Sequence, residues 1–525
     1  MREKEIVTLI DMFYKSADMF SDKEAIVFGA KRISYKEIKE ISAKFASALY
    51  RKGIKKGDRV CLWLHNCPEF IYSYFAIISL GAIVVPINNL FKREEAKFIV
   101  ENSHASIIIV SIDKVEDSKI ILSRVSSLKH IICTSSCSDA SVEKFYRLIE
   151  KEAPFLGEKL TADCIAEIIY TSGTTGIPKG VSLTHRNLLF NVKDCADAIK
   201  VKSKDCFLCI LPLFHSFAST VCMLLPFYRG AKIVLMRTVK PFRRLLRAVY
   251  RNRVTVFVGV PSIYNILAQM KIPWYKRFLV IVINPVRIFI SGAAALSAGV
   301  LKKFEKKFKR PLLEGYGLTE ASPVVSLNPP RRRKLSSVGL PLASIKVKVV
   351  DDKGVSLSTG KIGELLVKGP NVMKGYYGLQ QETDKVIKEG WLYTGDLAFL
   401  DDEGYIYIRG RKKDMINVRG FNVYPREIEE LLYKQPGVKE AACVGIKHPH
   451  RGEVPVAFVV GDSIDERSLL RYLRTNLASY KVPVKIIKKD KLPKNTTGKI
   501  LKRELKKEVE NIFFKNLSSS DAKLL

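Results

Sequence analysis

Residues 170–181, YTSGTTGIPKGV, place glycines, four serine or threonine hydroxyls and one lysine, Lys179, within a few positions behind an apolar run. A phosphate-binding loop needs backbone N–H groups free to point inward, which glycine permits, while hydroxyls and a lysine add further donors. The stretch is not of the Walker type, because Lys179 follows Pro178 and precedes Gly180. Such a stretch on its own is more often a surface turn. Other segments of the chain are therefore needed to distinguish a surface turn from a phosphate-binding loop.

The chain around this stretch has the pattern of a mixed α/β fold. Short apolar runs such as EIIYTSG, FLCILPLF, VTVFVGVPS and VRIFISG alternate with helical patterns between about residues 160 and 400. This alternation predicts sheets layered with helices, followed by glycine-bounded hairpins and then a small α+β unit. We expect a large N-terminal body, residues 1–410, a hinge, residues 411–414, and a C-terminal domain, residues 415–525.

The charge balance favours anionic partners. The 525 residues include 88 Lys+Arg against 53 Asp+Glu, a formal charge of +35. Such an excess suits nucleotides, a nucleic acid backbone or anionic lipid. Leu301, Phe304 and Phe308 recur at helical spacing within a lysine-rich run, which predicts a basic amphipathic helix. Its apolar side either covers the core or contacts a lipid surface.

Targeting features favour a cytoplasmic protein, with contact to the cytoplasmic face of the membrane left open. The ten cysteines lack the spacing of a disulfide framework, and the amino terminus lacks a secretory pattern. The longest apolar run, residues 278–283, is shorter than a bilayer requires and Pro285 follows it closely. We therefore expect no membrane-spanning segment. Cys206 and Cys209 form a lone pair and are expected to be buried rather than to bind zinc.

Five further segments follow the opening stretch: ISGAAAL (290–296), EGYGLTE (314–320), YTGD (393–396), GRKKDMINVRGFNVYPREIE (410–429) and PKNTTGKI (493–500). With it they resemble, in order, the phosphate loop, adenine-side segment, aromatic-Thr-Glu segment, ribose aspartate, hinge and terminal lysine loop of the adenylate-forming superfamily. That superfamily contains acyl-CoA synthetases, peptide-synthetase adenylation domains and luciferases. The resemblance extends from about residue 10 to residue 510.

The resemblance implies a reaction in two steps. A carboxylate first attacks the α-phosphate of ATP, giving an acyl-adenylate and pyrophosphate, so catalysis is mostly charge neutralisation and positioning. By resemblance, Thr319 would touch the α-phosphate and Glu320 would hold Mg²⁺, which favours carboxylate and phosphate oxygens. Lys499 would bridge the carboxylate and α-phosphate oxygens. His215 would orient the carboxylate, with a purely structural histidine as the alternative.

The resemblance also implies a nucleotide site in which the loop from Thr171 to Lys179 wraps the leaving phosphates. Asp396 and Arg411 would hold the ribose, and Tyr316 would stack on adenine. The residues expected to bind ATP or AMP are Thr171, Ser172, Gly173, Thr174, Thr175, Gly176, Lys179, Gly292, Ala293, Ala294, Glu314, Gly315, Tyr316, Gly317, Thr319, Asp396, Arg411 and Lys499.

The second step transfers the acyl group to a thiol. In the superfamily the C-terminal domain swings about a hinge residue, which corresponds to Lys413, so that Lys499 leaves and NVRGF arrives. Gly420 would line the pantetheine path because it has no Cβ, and Arg419 would meet the phosphates of coenzyme A.

The acid is expected to be a medium- or long-chain fatty acid. The predicted acyl pocket is apolar, without a charged group to pair an amino acid's ammonium, and comprises His215, Phe217, Ala218, Gly259, Val260 and Ala293. LPLFHSFAST (211–220) is similar to fatty acyl ligases, including acyl-acyl carrier protein synthetases, whose acidic carrier protein remains an alternative acceptor to coenzyme A. A basic nucleic-acid-binding protein would explain the charge alone, but we recognise no such module. The oligomeric state stays open, a homodimer included.

Overall fold

The computed structural model describes residues 6–155, 157, 159–172, 178–239, 241–273, 281–419, 421–448, 451–462, 464–495 and 498–517. The predicted mixed α/β class is confirmed within these residues. The strands are β1 (Glu24–Phe28), β2 (Lys31–Ser34), β3 (Arg59–Trp63), β4 (Ile83–Pro86), β5 (Ile107–Val110), β6 (His130–Cys133), β7 (Glu143–Lys144), β8 (Ile165–Ser172), β9 (Pro178–Thr184), β10 (Cys206–Cys209), β11 (Lys232–Leu235), β12 (Val256–Gly259), β13 (Ile288–Ser291), β14 (Leu312–Gly317), β15 (Val324–Leu327), β16 (Leu340–Pro341), β17 (Lys346–Val350), β18 (Gly363–Lys368), β19 (Gly375–Tyr376), β20 (Ile387–Lys388), β21 (Trp391–Leu400), β22 (Ile406–Arg411), β23 (Ile416–Val418), β24 (Phe421–Val423), β25 (Val438–His448), β26 (Gly452–Gly461) and β27 (Lys485–Lys488).

The helices lie between these strands and cover the sheets. They are α1 (Leu9–Met19), α2 (Tyr35–Arg51), α3 (Pro68–Ser79), α4 (Arg93–Asn102), α5 (Val115–Arg124), α6 (Phe145–Ile149), α7 (His185–Ala198), α8 (Ser216–Ala218), α9 (Leu225–Tyr228), α10 (Phe242–Arg251), α11 (Pro261–Gln269), α12 (Ala298–Phe308), α13 (Gln380–Val386), α14 (Pro425–Tyr433), α15 (Glu466–Asn476) and α16 (Lys502–Leu517). Among the described residues, no helix has both the length and the apolar character to cross a bilayer.

Two large sheets form the body of the protein. The first has the strand order β16-β15-β14-β13-β12-β10-β11-β1-β2, and the second has the order β19-β9-β8-β4-β3-β5-β6-β7. Neighbouring strands from β1 through β14 in the first sheet run parallel, and most of their buried residues are apolar. Strands β10, β12 and β13 correspond to three of the apolar runs quoted from the sequence. The largest hydrophobic core draws residues from both sheets and from the helices between them.

The opening stretch folds into a hairpin of the second sheet. Strands β8 and β9 pair antiparallel, with Thr171 opposite Lys179 and Ser172 opposite Pro178. Helix α7 starts directly after β9, where the Thr184 side chain accepts from the Asn187 N–H and the Asn187 side chain accepts from the Thr184 N–H. This reciprocal cap fixes where the chain leaves the hairpin.

The remaining strands form two smaller sheets. The third sheet has the order β17-β18-β21-β20 with β22 paired to β21, and the fourth has β24-β23-β26-β25 with β27 paired to β26. A short 3₁₀ turn, Lys412–Asp414, lies between β22 and β23, within the predicted hinge. The segments AACVGI (441–446) and VAFVV (456–460) lie within the long strands β25 and β26 of this C-terminal α+β part. The division into mobile domains stays a prediction.

The basic amphipathic helix predicted around residues 301–310 is observed as α12. Phe304 and Phe308 are buried, and the Phe304 ring packs edge-on against Phe289 of β13. The helix ends at Phe308 because Lys309 adopts a left-handed conformation, with φ of 50°. Its apolar side therefore covers the core.

Candidate active site

A cavity of about 520 Å³ brings together residues from both large sheets and the C-terminal part of the chain. Residues near the end of β14 and after it contribute polar groups and backbone, namely Gly315, Tyr316, Gly317 and Thr319, joined by Asn495. We call these the nucleotide part of the cavity. Apolar side chains from α4, α7, the turn after α8 and α9 form its apolar part, namely Ile99, Cys195, Ile199, Val221 and Leu225.

A hydrogen-bond network beside the nucleotide part joins three of the predicted residues. Tyr316 donates its hydroxyl proton to Asp396 Oδ2 at 2.6 Å, and Arg411 Nε lies 2.9 Å from Asp396 Oδ1. Asp396 and Arg411 are directly opposite each other on β21 and β22. The short hairpin therefore presents a fixed carboxylate-guanidinium pair toward the tyrosine.

The electrostatics of this network follow from its burial. Asp396 is only 4% exposed, and burial raises its pKa above the usual value while Arg411 opposes the rise. Burial, reinforced by the Asp396 charge, raises the pKa of Tyr316 well above that of a free phenol. Tyr316 therefore remains a hydroxyl donor at physiological pH.

A second network links the phosphate hairpin to the predicted metal-binding carboxylate. Lys179 Nζ lies 2.6 Å from Glu382 Oε2 and 5.1 Å from the centroid of the Tyr376 ring. The Tyr376 hydroxyl donates to Glu320 Oε1 at 3.0 Å. Hydrogen bonds from Lys179 and then Lys385 lower the pKa of Glu382 to about 2. One tyrosine thus contacts both the loop lysine and Glu320.

Part of the predicted phosphate loop lies outside the described residues, namely Gly173, Thr174, Thr175 and Gly176; so does the predicted pantetheine residue Gly420. Thr171 lines the cavity, and Ser172 is the last residue of β8.

Glu320 is the residue that the sequence assigns to Mg²⁺. Within the described part of the chain, no group of three or more His, Cys, Asp or Glu side chains forms a metal cluster. Glu320 lies beside Thr319 of the cavity, and its carboxylate is already held by Tyr376. A single oriented carboxylate suits Mg²⁺, which takes one or two protein ligands and completes its shell with phosphate and water oxygens.

His215 and Phe217 line the cavity near Gly292. Burial lowers the pKa of His215 to about 4, so the imidazole is neutral at physiological pH. A Cβ on Gly292 would lie 2.7 Å from Phe217 Cζ, so only glycine leaves room for that ring. The Ser216 and Thr319 hydroxyls, 3.3 Å apart, connect this segment to the nucleotide part.

The terminal lysine loop reaches the same cavity. Asn495 and Leu501 line it, and the Lys499 N–H donates to Asn495 Oδ1 at 2.9 Å. Lys499 keeps contact with solvent, yet loss of hydration and then the charge of Arg411 lower its pKa, against the opposing charges of Asp396 and Asp414. The ammonium group therefore lies within electrostatic range of the ribose-site residues Asp396 and Arg411.

Some predicted residues lie elsewhere. Ala218 is fully buried, Gly259 packs against the Tyr264 ring, and neither they nor Val260 or Ala294 belong to the described lining of the cavity. Glu314 is also absent from that lining.

The buried Glu314 carboxylate instead accepts the Leu296 N–H at 3.0 Å, and burial raises its pKa to about 7. Glu314 therefore holds the end of the adenine-side segment, residues 290–296, through this hydrogen bond and does not line the cavity. Lys413 and Arg419 are exposed, beyond the cavity lining.

Sequence reasoning missed two groups of residues. The apolar part is built from residues with no motif, and only helical spacing in α7 connects Cys195 with Ile199. Tyr376 and Glu382 follow a glycine in an unremarkable polar stretch, so only the fold reveals their contacts.

Known proteins are similar to this chain in both sequence and architecture. Residues 13–377 match the family of AMP-binding enzymes, and residues 427–499 match the AMP-binding enzyme C-terminal domain. A long-chain-fatty-acid–CoA ligase of Bacillus subtilis (strain 168) is 35% identical, covering 96% of this chain and 95% of the relative. A feruloyl-CoA synthase of Amycolatopsis sp. is 33% identical, covering 94% and 97%.

A crystal structure of ATP-bound MatB from Rhodopseudomonas palustris superposes with a TM-score of 0.88 at 31% identity, covering 96% of this chain and 99% of that chain. The similarity thus includes the body and the C-terminal part together. Because the family match covers most of the sequence, this chain belongs to the AMP-binding enzymes and, within them, to the adenylate-forming acyl-CoA ligases.

Proposed function

We propose that the protein activates a medium- or long-chain fatty acid with ATP and transfers the acyl group to coenzyme A. One observation carries this proposal: a single cavity combines several of the predicted nucleotide residues with a mostly apolar part. Glu95 is the one acidic residue of the described lining, and its carboxylate accepts the Lys92 N–H at the start of α4. An acyl-adenylate requires this combination, because its acyl chain gains about 0.8 kcal/mol per buried CH₂ while its phosphate needs polar donors.

The apolar part supports a flexible aliphatic substrate. Its five side chains come from three helices and one turn, and none has a charged, amide or hydroxyl group that would select a substituted ring. The long-chain-fatty-acid–CoA ligase and feruloyl-CoA synthase relatives represent the two acid classes to be distinguished.

Adenylation needs two negative groups brought together. Asp396 and Arg411 would fix the ribose, and Lys499, beside them, would neutralise the carboxylate and α-phosphate oxygens as they approach. Neutral His215 would orient the fatty acid carboxylate by hydrogen bonding, without adding a net charge.

The departing phosphates would lie against the hairpin that carries Thr171 and Lys179. Mg²⁺ held by Glu320 would neutralise phosphate charge as pyrophosphate forms. Tyr376 would keep the Glu320 carboxylate oriented, and the Glu382 carboxylate would keep Lys179 in place until phosphate replaces it.

For the second step, we propose rotation about Lys413, with Arg419 and Gly420 meeting coenzyme A. Acyl carrier protein remains the second candidate acceptor, supported by the formal charge of +35, which would attract an acidic protein. A reducing, cytoplasmic location is also proposed, supported by ten unpaired cysteines.

The test supplies ATP, Mg²⁺ and dodecanoate with either coenzyme A or acyl carrier protein, and measures AMP release together with the acylated product. We expect AMP and dodecanoyl-CoA in equal amounts. Product only with carrier protein would establish the alternative acceptor, and AMP release with ferulate but with no saturated fatty acid would contradict the substrate class.

A further inference from the structure

The positive charge of the chain is unevenly distributed. From Cys206 to Phe304 the sequence contains no aspartate or glutamate, where the overall composition would place about ten, and it contains fifteen lysines and arginines. The active site explains the absence of acidic residues in part of this stretch, because His215, Gly292 and their neighbours line a cavity for anionic substrates. Helices α10, α11 and most of α12 belong to the same stretch of sequence, and none of their residues is in the described lining of the cavity.

The sheet topology places these three helices on one face. The connections from β11 to β12, β12 to β13 and β13 to β14 all advance in the same direction along the first sheet. Because crossovers between parallel strands are right-handed, α10, α11 and α12 share one side of the sheet. Lys307 joins two of them directly, donating to the Leu267 and Met270 carbonyls at the end of α11.

That side faces away from the second sheet. The connection from β10 to β11 runs in the opposite direction, which places α9 on the other side. There the Phe227 ring of α9 packs edge-on against Phe13 and Phe75, and Phe75 lies on α3 between strands of the second sheet. Helices α10 to α12 therefore form an outer face of the body.

Basic side chains cover this outer face. On α10, Leu245 and Val249 are buried while Arg243, Arg244 and Arg247 are exposed. On α12, exposed lysines occupy the side opposite the buried phenylalanines. The single acid of α12, Glu305, lies 3.2 Å from Arg333 and accepts the Leu312 N–H, so it does not offset the lysines.

Apolar side chains are also exposed on the connection from β12 to β13, which includes α11. Ile266 on α11 is 54% exposed, and Val282 and Ile283, which precede β13, are 60% and 52% exposed. Residues 274–280, between α11 and Val282, lie outside the described residues, and the face is defined without them.

We infer that this docking face, comprising Arg243, Arg244, Arg247, Ile266, Val282 and Ile283, binds the surface of an anionic lipid bilayer. The arginines match the negative surface charge of such a bilayer, to which each basic residue adds attraction. The aliphatic side chains match its acyl boundary, which neither a nucleic acid backbone nor an acidic protein surface provides. This occupant is therefore favoured over both.

The biological role of membrane docking rests on the proposed function, because docking would bring the enzyme to its fatty acid substrate. Long-chain fatty acids partition into bilayers, so an enzyme bound there meets its substrate at high local concentration. The binding itself is independent of catalysis and can be measured without ATP or fatty acid.

The test is sedimentation of the full-length protein with phosphatidylcholine vesicles, with and without about one third phosphatidylglycerol. We expect binding to the anionic vesicles only. The triple substitution Arg243→Glu, Arg244→Glu and Arg247→Glu should lower the partition coefficient at least tenfold, and Ile266→Ser with Val282→Ser and Ile283→Ser should lower it severalfold. The substituted side chains are exposed, so folding is preserved, which circular dichroism checks.

The matched control carries the same change of charge on the third sheet: Lys353→Glu, Lys361→Glu and Lys388→Glu, all exposed. It should bind vesicles nearly as well as the native protein. Equal loss in the control, equal binding to neutral vesicles, or no vesicle binding by the native protein would each overturn the proposal. Binding to an RNA oligomer without vesicle binding would also overturn it, and would assign the face to nucleic acid.

A second measurement separates docking from the proposed function. The arginine variant should form octanoyl-CoA from dissolved octanoate at the native rate, but should use vesicle-embedded hexadecanoate several times more slowly. If no fatty acid is activated by the native protein although vesicles bind, the proposed function fails and docking stands. Unchanged use of embedded hexadecanoate by a variant that no longer binds would overturn the role of docking.

Discussion

The nucleotide part and the apolar part of the cavity are built by different rules. In the nucleotide part and the network beside it, Tyr316, Asp396 and Arg411 each occupy a position set by a hydrogen bond shorter than 3 Å, and few other side chains would replace them. In the apolar part, residues such as Ile199 and Leu225 contribute volume, and any aliphatic side chain of similar size would pack there.

This difference separates chemistry from selection of the acid. Polar residues at fixed positions determine which bond is made, and they recur as motifs because their geometry is strict. The apolar side chains determine which acid fits, through total volume and shape. Substitutions in the two parts should therefore change different kinetic quantities, and each prediction below tests that separation.

The largest effect is expected from Lys499→Ala. Removing the ammonium group near Asp396 and Arg411 should slow fatty acid adenylation by about 10²- to 10³-fold, because developing charge on the oxygens is no longer neutralised. Pyrophosphate exchange measures this step. Conversion of supplied acyl-adenylate to thioester should stay near the native rate.

The control for this prediction is Lys494→Ala, in the same loop, whose ammonium group is paired with Glu440 instead. It should leave both steps nearly unchanged. If Lys499→Ala reduces both half-reactions equally, the lysine does not act in adenylation specifically.

A smaller effect, confined to the acid, is expected from Ile199→Trp. The larger ring would occupy the apolar part from α7, so kcat/KM for hexadecanoate should fall at least about tenfold while that for octanoate and the KM for ATP change little. Thermal unfolding checks that overpacking has not disrupted the core. Equal loss with both acids would show that Ile199 does not limit chain length; Ile199→Ala supplies the opposite change in volume.

A still smaller effect is expected from Tyr376→Phe. The substitution keeps the ring beneath Lys179 but removes the hydrogen bond to Glu320, so the KM for magnesium-ATP should rise about 3- to 10-fold with little change for fatty acid. Tyr407→Phe, which removes a hydroxyl 3.3 Å from Asp401 in the third sheet, is the control. An unchanged magnesium-ATP requirement would remove Tyr376 from the site.

The smallest effect is expected from pH acting on His215. Its pKa of about 4 lies below the ordinary value of 6.5, so the imidazole stays neutral as pH falls from 8 to about 6 and gains its proton only near pH 4. The profile of kcat/KM for fatty acid should therefore contain no step near pH 6.5. Such a step, present in the native enzyme and absent in His215→Gln, would show that the imidazole titrates normally.

The two parts also differ in how far the sequence predicts them. Tyr316, Thr319, Asp396 and Lys499 were predicted from motifs, and the structure brings all four to one region although 183 positions separate Tyr316 from Lys499. Their catalytic roles stay predictions until tested by substitution.

The predicted acyl pocket and the lining of the cavity agree only in part. Ala218, Gly259 and Val260 were predicted from segments that resemble acyl-pocket segments of the superfamily, and they are absent from the described lining. Cys195 and Ile199, more than ten positions from any motif, belong to that lining. Neighbourhood along the chain does not determine neighbourhood across a cavity when long-range packing brings α4, α7 and α9 together. The supporting role of Glu314 was missed for the same reason, since its partner, Leu296, comes from another strand-to-helix segment.

The most direct test of the central claim is kcat/KM for CoA-dependent AMP release across saturated acids from hexanoate to hexadecanoate. If the nucleotide part performs the chemistry and the apolar part selects an aliphatic chain, kcat/KM should rise about fourfold per added CH₂, or about 0.8 kcal/mol, until the cavity is filled. The KM for ATP should stay constant throughout. A flat series, or a higher kcat/KM for ferulate than for every saturated acid, would contradict the account.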